Sequence, residues 1–315
     1  MSNPVVWCNF SFSEPALARL RDGLRGYELI TDGDSGSLAR AHFAFGQPPP
    51  QGLQTSEALR FVQLTSAGYT AYENKEFQQA LKQRGVPLAK ASWVYDEPCA
   101  DHALAFMLCA ARALPLAQQE QRETRAWSTA RLRQKSFLLR DQNVLIVGFG
   151  SIGRRLAERL APFGAIVRGA RRSPGSDEPV PMVSTDNADF ASWLAAADHV
   201  VNVLPLNTGT NAFFNDSRFG TMKAGALFYN IGRGGTVDQA ALQTALQSGR
   251  LAGAYLDVTV PEPLPPTHPL WQAPNCFITP HTAGGHANEQ ERLVDLFLGN
   301  LSRLGRGEPL IDRVF

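Results

Sequence analysis

Val144-Leu145-Ile146-Val147-Gly148-Phe149-Gly150-Ser151-Ile152-Gly153 is the stretch on which the reading of this chain turns. Four apolar residues form a buried strand and run into Gly-x-Gly-x-x-Gly. Apolar residues then recur at helical spacing through Ile152–Phe163. In that setting each glycine has a distinct task. Gly148 permits the tight turn, Gly150 lets backbone approach a pyrophosphate, and Gly153 lets the helix lie close on the strand. The helix start, Ser151 and Ile152, adds N–H groups and a favourable dipole for an anion. A dinucleotide site is therefore expected here.

The end of the next strand decides which dinucleotide. An NAD enzyme usually presents an acid there for the ribose hydroxyls. This chain reads Gly169-Ala170-Arg171-Arg172-Ser173, two guanidiniums and a hydroxyl. That is the chemistry of a 2′-phosphate site, because arginine offers a planar fork of donors to an anion. The expected cofactor is NADP(H).

Working outward, strands are expected at Val5–Asn9, Tyr27–Ile30, Phe61–Leu64, Val86–Ala89, Val144–Val147, Ile166–Ala170, His199–Leu204, Ala226–Ile231, Ala252–Leu256 and Cys276–Thr279. Helical spacing fills many of the gaps, notably Glu14–Leu24, Glu73–Arg84, Ile152–Phe163, Gln239–Ser248 and Asn288–Leu304. Such alternation favours parallel sheets with helices on their faces. Asp101–Leu114 is apolar nearly all round and reads as a buried connecting helix. Gln118–Arg140 is polar and Arg-rich around Trp127, and reads as a solvated face or an arm packed on a second subunit.

Composition narrows the class. Hydrophobic residues at 44% and charged residues at 19% are the balance of a core-forming protein. With 30 Lys+Arg against 29 Asp+Glu, no basic excess is available to bind nucleic acid or an anionic membrane. Cys8, Cys99, Cys109 and Cys276 lack metal-ligand spacing, so neither a metal site nor a disulfide framework is expected. The opening MSNPVVWCNF lacks the pattern of a secretory signal, and no apolar stretch is long enough to span a bilayer. These features point to a cytoplasmic enzyme. Nucleophile-elbow, P-loop and HExxH motifs are missing.

Three further segments sit at expected strand ends, where ligands bind in sheets of this kind. They are Asn230-Ile231-Gly232-Arg233-Gly234-Gly235, Leu256 through Leu264 with Asp257 and Glu262, and Ile278 through Gly284 with His281. Taken with VGFGSIGRRLAERLAPFG, VLPLNTGTNAFFN, MKAGALFYNIGRGGTVDQAALQTAL, LDVTVPEPLPPTHPLW and ITPHTAGG, and more weakly LTSAGY and ADHALAFMLCAAR, they make the chain resemble the D-isomer-specific 2-hydroxyacid dehydrogenases over nearly its whole length. Among them it is most similar to glyoxylate/hydroxypyruvate reductases of the NADP type.

The resemblance implies an α/β fold of two doubly wound parallel-sheet domains. A Rossmann-type NADP domain (101–285) would be inserted into a flavodoxin-like substrate domain formed by 1–100 and a returning C-terminal helix (286–315), with the active site in the cleft. It implies that Arg233 binds the substrate carboxylate and carbonyl oxygen. His281 would be the proton donor, and Glu262 would orient its ring and favour the protonated form. Ala67 and Gly68 would grip the substrate carboxylate. Asp257 would face the nicotinamide carboxamide, and Leu204, Pro205, Thr210, Ile231, Gly232, Ala283 and Gly284 would line the cofactor beside Arg233 and His281. A homodimer that reduces small 2-oxo acids to D-2-hydroxy acids follows. Formate dehydrogenase-like members are disfavoured because Glu262 fills the acid position. Two alternatives stay open: a dehydrogenase for an unusual substrate such as phosphite, and a nucleotide-sensing corepressor-like binding protein.

Overall fold

Val5–Cys8 is buried on every residue, with Val5 and Trp7 in one apolar cluster and Val6 and Cys8 in another. Alternate side chains of a strand point to opposite faces, so both faces of this strand are covered. That is the environment of a central strand in a parallel sheet, and the computed structural model, which describes residues 3–31 and 33–315, shows one. The chain forms two compact units, residues 1–95 with 285–315 and residues 96–284. The helix Ser92–Ala111 carries the chain from the first to the second.

The first unit holds a five-stranded sheet of β1 (Val5–Cys8), β2 (Glu28–Ile30), β3 (Phe43–Gly46), β4 (Phe61–Leu64) and β5 (Leu88–Ala89), ordered β2-β1-β3-β4-β5 with every pair parallel. This is the flavodoxin-like order, reversing between β1 and β3. The C-terminal helix Glu289–Gly305 lies on helix Glu14–Gly23, so closely that a Cβ on Gly23 would fall 2.3 Å from a Leu298 methyl. Its Phe297 stacks on Phe45 at 4.4 Å between ring centroids.

The second unit holds seven parallel strands: β6 (Asn143–Val147), β7 (Ile166–Arg171), β8 (Met182–Ser184), β9 (His199–Asn202), β10 (Ala226–Asn230), β11 (Leu251–Leu256) and β12 (Cys276–Ile278). The order β12-β11-β10-β9-β6-β7-β8 is doubly wound, with its reversal between β6 and β9. Both sheets match the fold class read from the sequence.

Several expected elements shift. β3 and β8 were not expected. β3 spans four residues between a four-residue helix and a proline run, and β8 is a three-residue edge strand just after Pro181. The connecting helix begins at Ser92 rather than Asp101, and Pro98 lies inside it. Its residues are more often half-buried than buried, and Pro98 removes one intrahelical donor. The polar stretch 118–140 contains helical residues, with helices at Leu114–Glu123 and Thr129–Lys135. Among the described residues no single helix is long and apolar enough to cross a membrane.

Candidate active site

Gly148 follows β6 with φ of 96°, a conformation that glycine adopts without strain. A Cβ there would lie 2.6 Å from the Val203 carbonyl, so the turns after β6 and β9 meet backbone to backbone at the reversal of the sheet. A Cβ on Gly150 would meet nothing within 4 Å, whereas one on Gly153 would lie 3.2 Å from Ile146 of β6. The helix Ser151–Leu160 starts at Gly150 without a side-chain cap. Its first amides thus face open space beside a turn that has no side chain to fill it. These residues fit the pyrophosphate of a dinucleotide.

Arg171 is the last residue of β7, with Arg172 and Ser173 in the loop beyond. Arg171 Nη2 lies 3.0 Å from Glu178 Oε1, and the other Glu178 oxygen lies 2.6 Å from Nη2 of Arg154, which sits in the first turn of the glycine-loop helix. The Arg172 guanidinium lies over Gly209, where a Cβ would be 2.3 Å from Nη2. Gly209 belongs to the loop after β9, where Thr210 Oγ1 donates to Pro205 O at 2.6 Å and accepts from Asn207 N at 2.9 Å.

The loop after β10 is fixed by a buried polar network. Asn202 Nδ2 donates to Asn230 Oδ1 at 3.0 Å and to Thr236 Oγ1 at 2.7 Å, joining the ends of β9 and β10. Asn230 Oδ1 accepts from Gly232 N at 3.2 Å, and the Arg233 carbonyl accepts from Asn230 Nδ2 and Thr236 Oγ1. A Cβ on Gly234 would fall 2.0 Å from the Thr259 carbonyl, so only glycine lets this loop close on the next one. The Arg233 backbone is thereby held, with its side chain exposed and Nη1 donating to Gly232 O at 2.6 Å.

Asp257, at the end of β11 and only 2% exposed, organises the third loop. Its carboxylate accepts from Thr279 Oγ1 at 2.7 Å, Thr282 N at 2.8 Å and Ala283 N at 3.0 Å, and its carbonyl accepts from His281 N at 2.8 Å. These bonds hold His281 at a φ of 54°, which few non-glycine residues adopt. The ring then meets Glu262: His281 Nδ1 lies 2.7 Å from Oε2, while Oε1 accepts from Thr259 N at 3.0 Å. A carboxylate partner places a proton on Nδ1, which leaves Nε2 as the atom to give or take one.

Two residues of helix Ser92–Ala111 join this cluster without having been singled out in the sequence. His102 Nε2 lies 3.1 Å from Thr279 Oγ1 and 3.7 Å from Asp257. Burial lowers the pKa of His102 and the Asp257 charge only partly opposes it. Neutral His102 thus donates to Thr279, which donates to Asp257. Burial pushes the Cys99 thiol up to about 12, reinforced by Asp257 and opposed by Arg233, so Cys99 is no nucleophile. Arg154, Glu178 and Thr279 were also missed. Of these, Arg154 carried a signal: a cation in a helix's first turn opposes the dipole unless an anion is near.

In the first unit, Ala67 and Gly68 lie in the loop after β4. Gln47 Nε2, just after β3, donates to Thr65 Oγ1 at 3.1 Å and Ser66 Oγ at 3.0 Å, and Ser66 Oγ donates to Gly68 O at 2.6 Å. Gln47 is in turn bonded to Asn9 at the end of β1. Among the described residues no cluster of three or more His, Cys, Asp or Glu could hold a metal ion.

The chain is similar to known proteins over most of its length. Residues 104–283 match the family described as D-isomer specific 2-hydroxyacid dehydrogenase, NAD binding domain. The glyoxylate reductase/hydroxypyruvate reductase of Homo sapiens is 35% identical over 236 residues, 73% of this chain and 70% of that protein. A D-isomer specific 2-hydroxyacid dehydrogenase from Xanthobacter autotrophicus, solved with NADPH and MES, superposes with a TM-score of 0.81 at 27% identity, covering 100% of this chain and 98% of the other. An NADPH-dependent glyoxylate/hydroxypyruvate reductase from Sinorhizobium meliloti, solved with NADP and malonate, gives 0.74 at 26%, covering 99% and 97%. Oxidoreductase chemistry on a nicotinamide dinucleotide is the common property of this group. By sequence and by fold, the chain belongs to the D-isomer specific 2-hydroxyacid dehydrogenase family.

Proposed function

We propose that this protein is an NADPH-dependent reductase of small 2-oxo acids, glyoxylate or hydroxypyruvate above others, yielding D-2-hydroxy acids. The observation that carries the reading is the 2.7 Å contact between His281 Nδ1 and Glu262, which leaves Nε2 as the working nitrogen at the end of the sheet. The solved relatives holding NADPH or NADP, one of them with the dicarboxylate malonate, support the cofactor and the acid.

When bound, NADPH supplies a hydride to the carbonyl carbon. The chain's own residues do the rest. Arg233 binds the carboxylate and the carbonyl oxygen by paired charge-assisted hydrogen bonds, and draws off charge as that oxygen becomes an alkoxide. His281 Nε2 delivers the proton, while Glu262 holds the ring and stabilises the imidazolium from which the proton leaves. The backbone of Ala67 and Gly68, steadied by Gln47 through Ser66, also grips the substrate carboxylate. Residues 1–100 with 286–315 serve the substrate and 101–285 the cofactor, in a cytoplasmic homodimer.

Arg171, Arg172 and Ser173 take the 2′-phosphate in this reading. The test is consumption of NADPH and NADH side by side against glyoxylate, hydroxypyruvate, pyruvate and an aromatic 2-oxo acid, with wild type and an Arg171→Asp/Arg172→Ala variant. NADPH is expected to be much the better cofactor for wild type, and the variant is expected to lose NADPH use by at least about tenfold while keeping NADH use. Unchanged NADPH kinetics in the variant would refute the phosphate assignment. Tight NADPH binding without turnover of any acid would refute the reductase.

A further inference from the structure

Glu178 is the feature of the cofactor unit that the reading above leaves unexplained. Its side chain is 4% exposed, in the loop between β7 and β8, and it bridges Arg171 at 3.0 Å and Arg154 at 2.6 Å. The two arginine side chains are 35% and 39% exposed, so part of each is open to solvent while the anion between them is not. Among the described residues, Arg171 Nε is buried with no hydrogen-bond partner, and Glu178 Oε2 meets Arg154 without hydrogen-bond geometry. Two guanidiniums meet a single carboxylate here, so positive charge exceeds negative in this cluster. The loop backbone is drawn in around it, since a Cβ on Gly175 would fall 3.0 Å from Glu178 Oε1 and 3.2 Å from Arg171 Nη2.

We propose that Glu178 is an internal counter-anion of the 2′-phosphate subsite, a specificity residue that holds Arg171 and Arg154 together and competes with the phosphate for them. This rests on the NADPH reading. Three guanidiniums, counting Arg172, and one carboxylate leave two positive charges, which balances a phosphate dianion. An NADH molecule brings no such anion and gains nothing from displacing the carboxylate. Glu178 thus sets how tightly phosphate is held without contributing a donor of its own, and it brings Arg154 into the subsite.

The test uses the full-length protein and calorimetric titration with 2′,5′-ADP and with 5′-AMP, which lacks the 2′-phosphate. Glu178→Gln keeps the shape and removes the charge. It is expected to bind 2′,5′-ADP about 3- to 10-fold tighter than wild type, because a like charge beside the phosphate is gone. Its affinity should also fall more steeply with salt, and 5′-AMP binding should not change. Wild-type preference for 2′,5′-ADP combined with equal or weaker binding by Glu178→Gln would overturn the proposal and leave the NADPH reading intact. If wild type does not distinguish the two nucleotides, the NADPH reading itself fails, and the proposal with it. Should Glu178→Gln melt well below wild type, Arg154→Gln, which removes the cation that Glu178 brings into the subsite, is to be titrated instead. Weaker 2′,5′-ADP binding with unchanged 5′-AMP binding is then expected, and unchanged 2′,5′-ADP binding overturns the proposal.

Discussion

At the scale of single residues, the proposed proton donor depends on neighbours that do no chemistry. His281 is placed by Asp257, which takes the amides on its C-terminal side and, through its carbonyl, the amide of His281 itself. Glu262 is placed by the Thr259 amide. His281→Ala is therefore expected to cut kcat by about 10²- to 10⁴-fold, the range for loss of a general acid, while NADPH binding followed by its fluorescence persists. Glu262→Gln should show a smaller loss, because an amide still meets Nδ1 but no longer stabilises the imidazolium. Turnover near wild type in His281→Ala would remove the residue from the mechanism. The sequence singled out Arg233, Glu262 and His281 as candidates because they stand beyond strand ends inside long motifs. It did not disclose His102, Thr279 or Glu178. Their contacts join residues 22 to 177 positions apart, or sit within a loop of no regular pattern, and no spacing rule reaches them.

Elements were legible where a period had room to repeat. β6 and its helix could be read directly, while β3, between a four-residue helix and a proline run, and β8, an edge strand just after Pro181, were passed over. β3 matters, since it leads directly into Gln47, which steadies the Ala67–Gly68 loop. β9 carries a different consequence. Its first residue, His199, is 1% exposed, with Nδ1 2.9 Å from the Tyr229 hydroxyl of β10 and, among the described residues, no partner for Nε2. Burial holds its pKa down to about 4, against an ordinary 6.5, with Asp198 opposing only in part. The folded state keeps His199 neutral while the unfolded chain takes up a proton below pH 6.5. Its contribution to stability is thus complete above that pH and is lost as pH falls towards 4, up to about 3 kcal/mol. Urea unfolding of wild type and His199→Gln, followed from pH 7.5 to 4.5, should show wild type losing stability faster than the variant. A difference between them that stays constant with pH would exclude His199 as the source.

Across the whole molecule, the polar stretch after the connecting helix ties the fold to the proposed dimer. Trp127 lies between helices Leu114–Glu123 and Thr129–Lys135 and is 96% exposed, with Leu138 at 65% and Leu114 at 48% in the same region. Single exposed apolar residues are ordinary, but a nearly naked tryptophan leaves a large aromatic surface in water. Arginines 122, 125, 131 and 133 surround it in the sequence, the residue types enriched at interfaces. Such tryptophans are common anchors of binding energy, worth about 2 kcal/mol or more when truncated. Wild type is accordingly expected to sediment at twice the 34.3 kDa chain mass. Trp127→Glu should weaken self-association by roughly 30-fold or more, the equivalent of that energy, and shift the protein towards monomer on dilution. The variant's NADPH binding should be retained, since Trp127 belongs to none of the cofactor loops. A wild-type chain that sediments as a monomer would refute the dimer, and a variant that dimerises as tightly as wild type would refute Trp127 as its anchor.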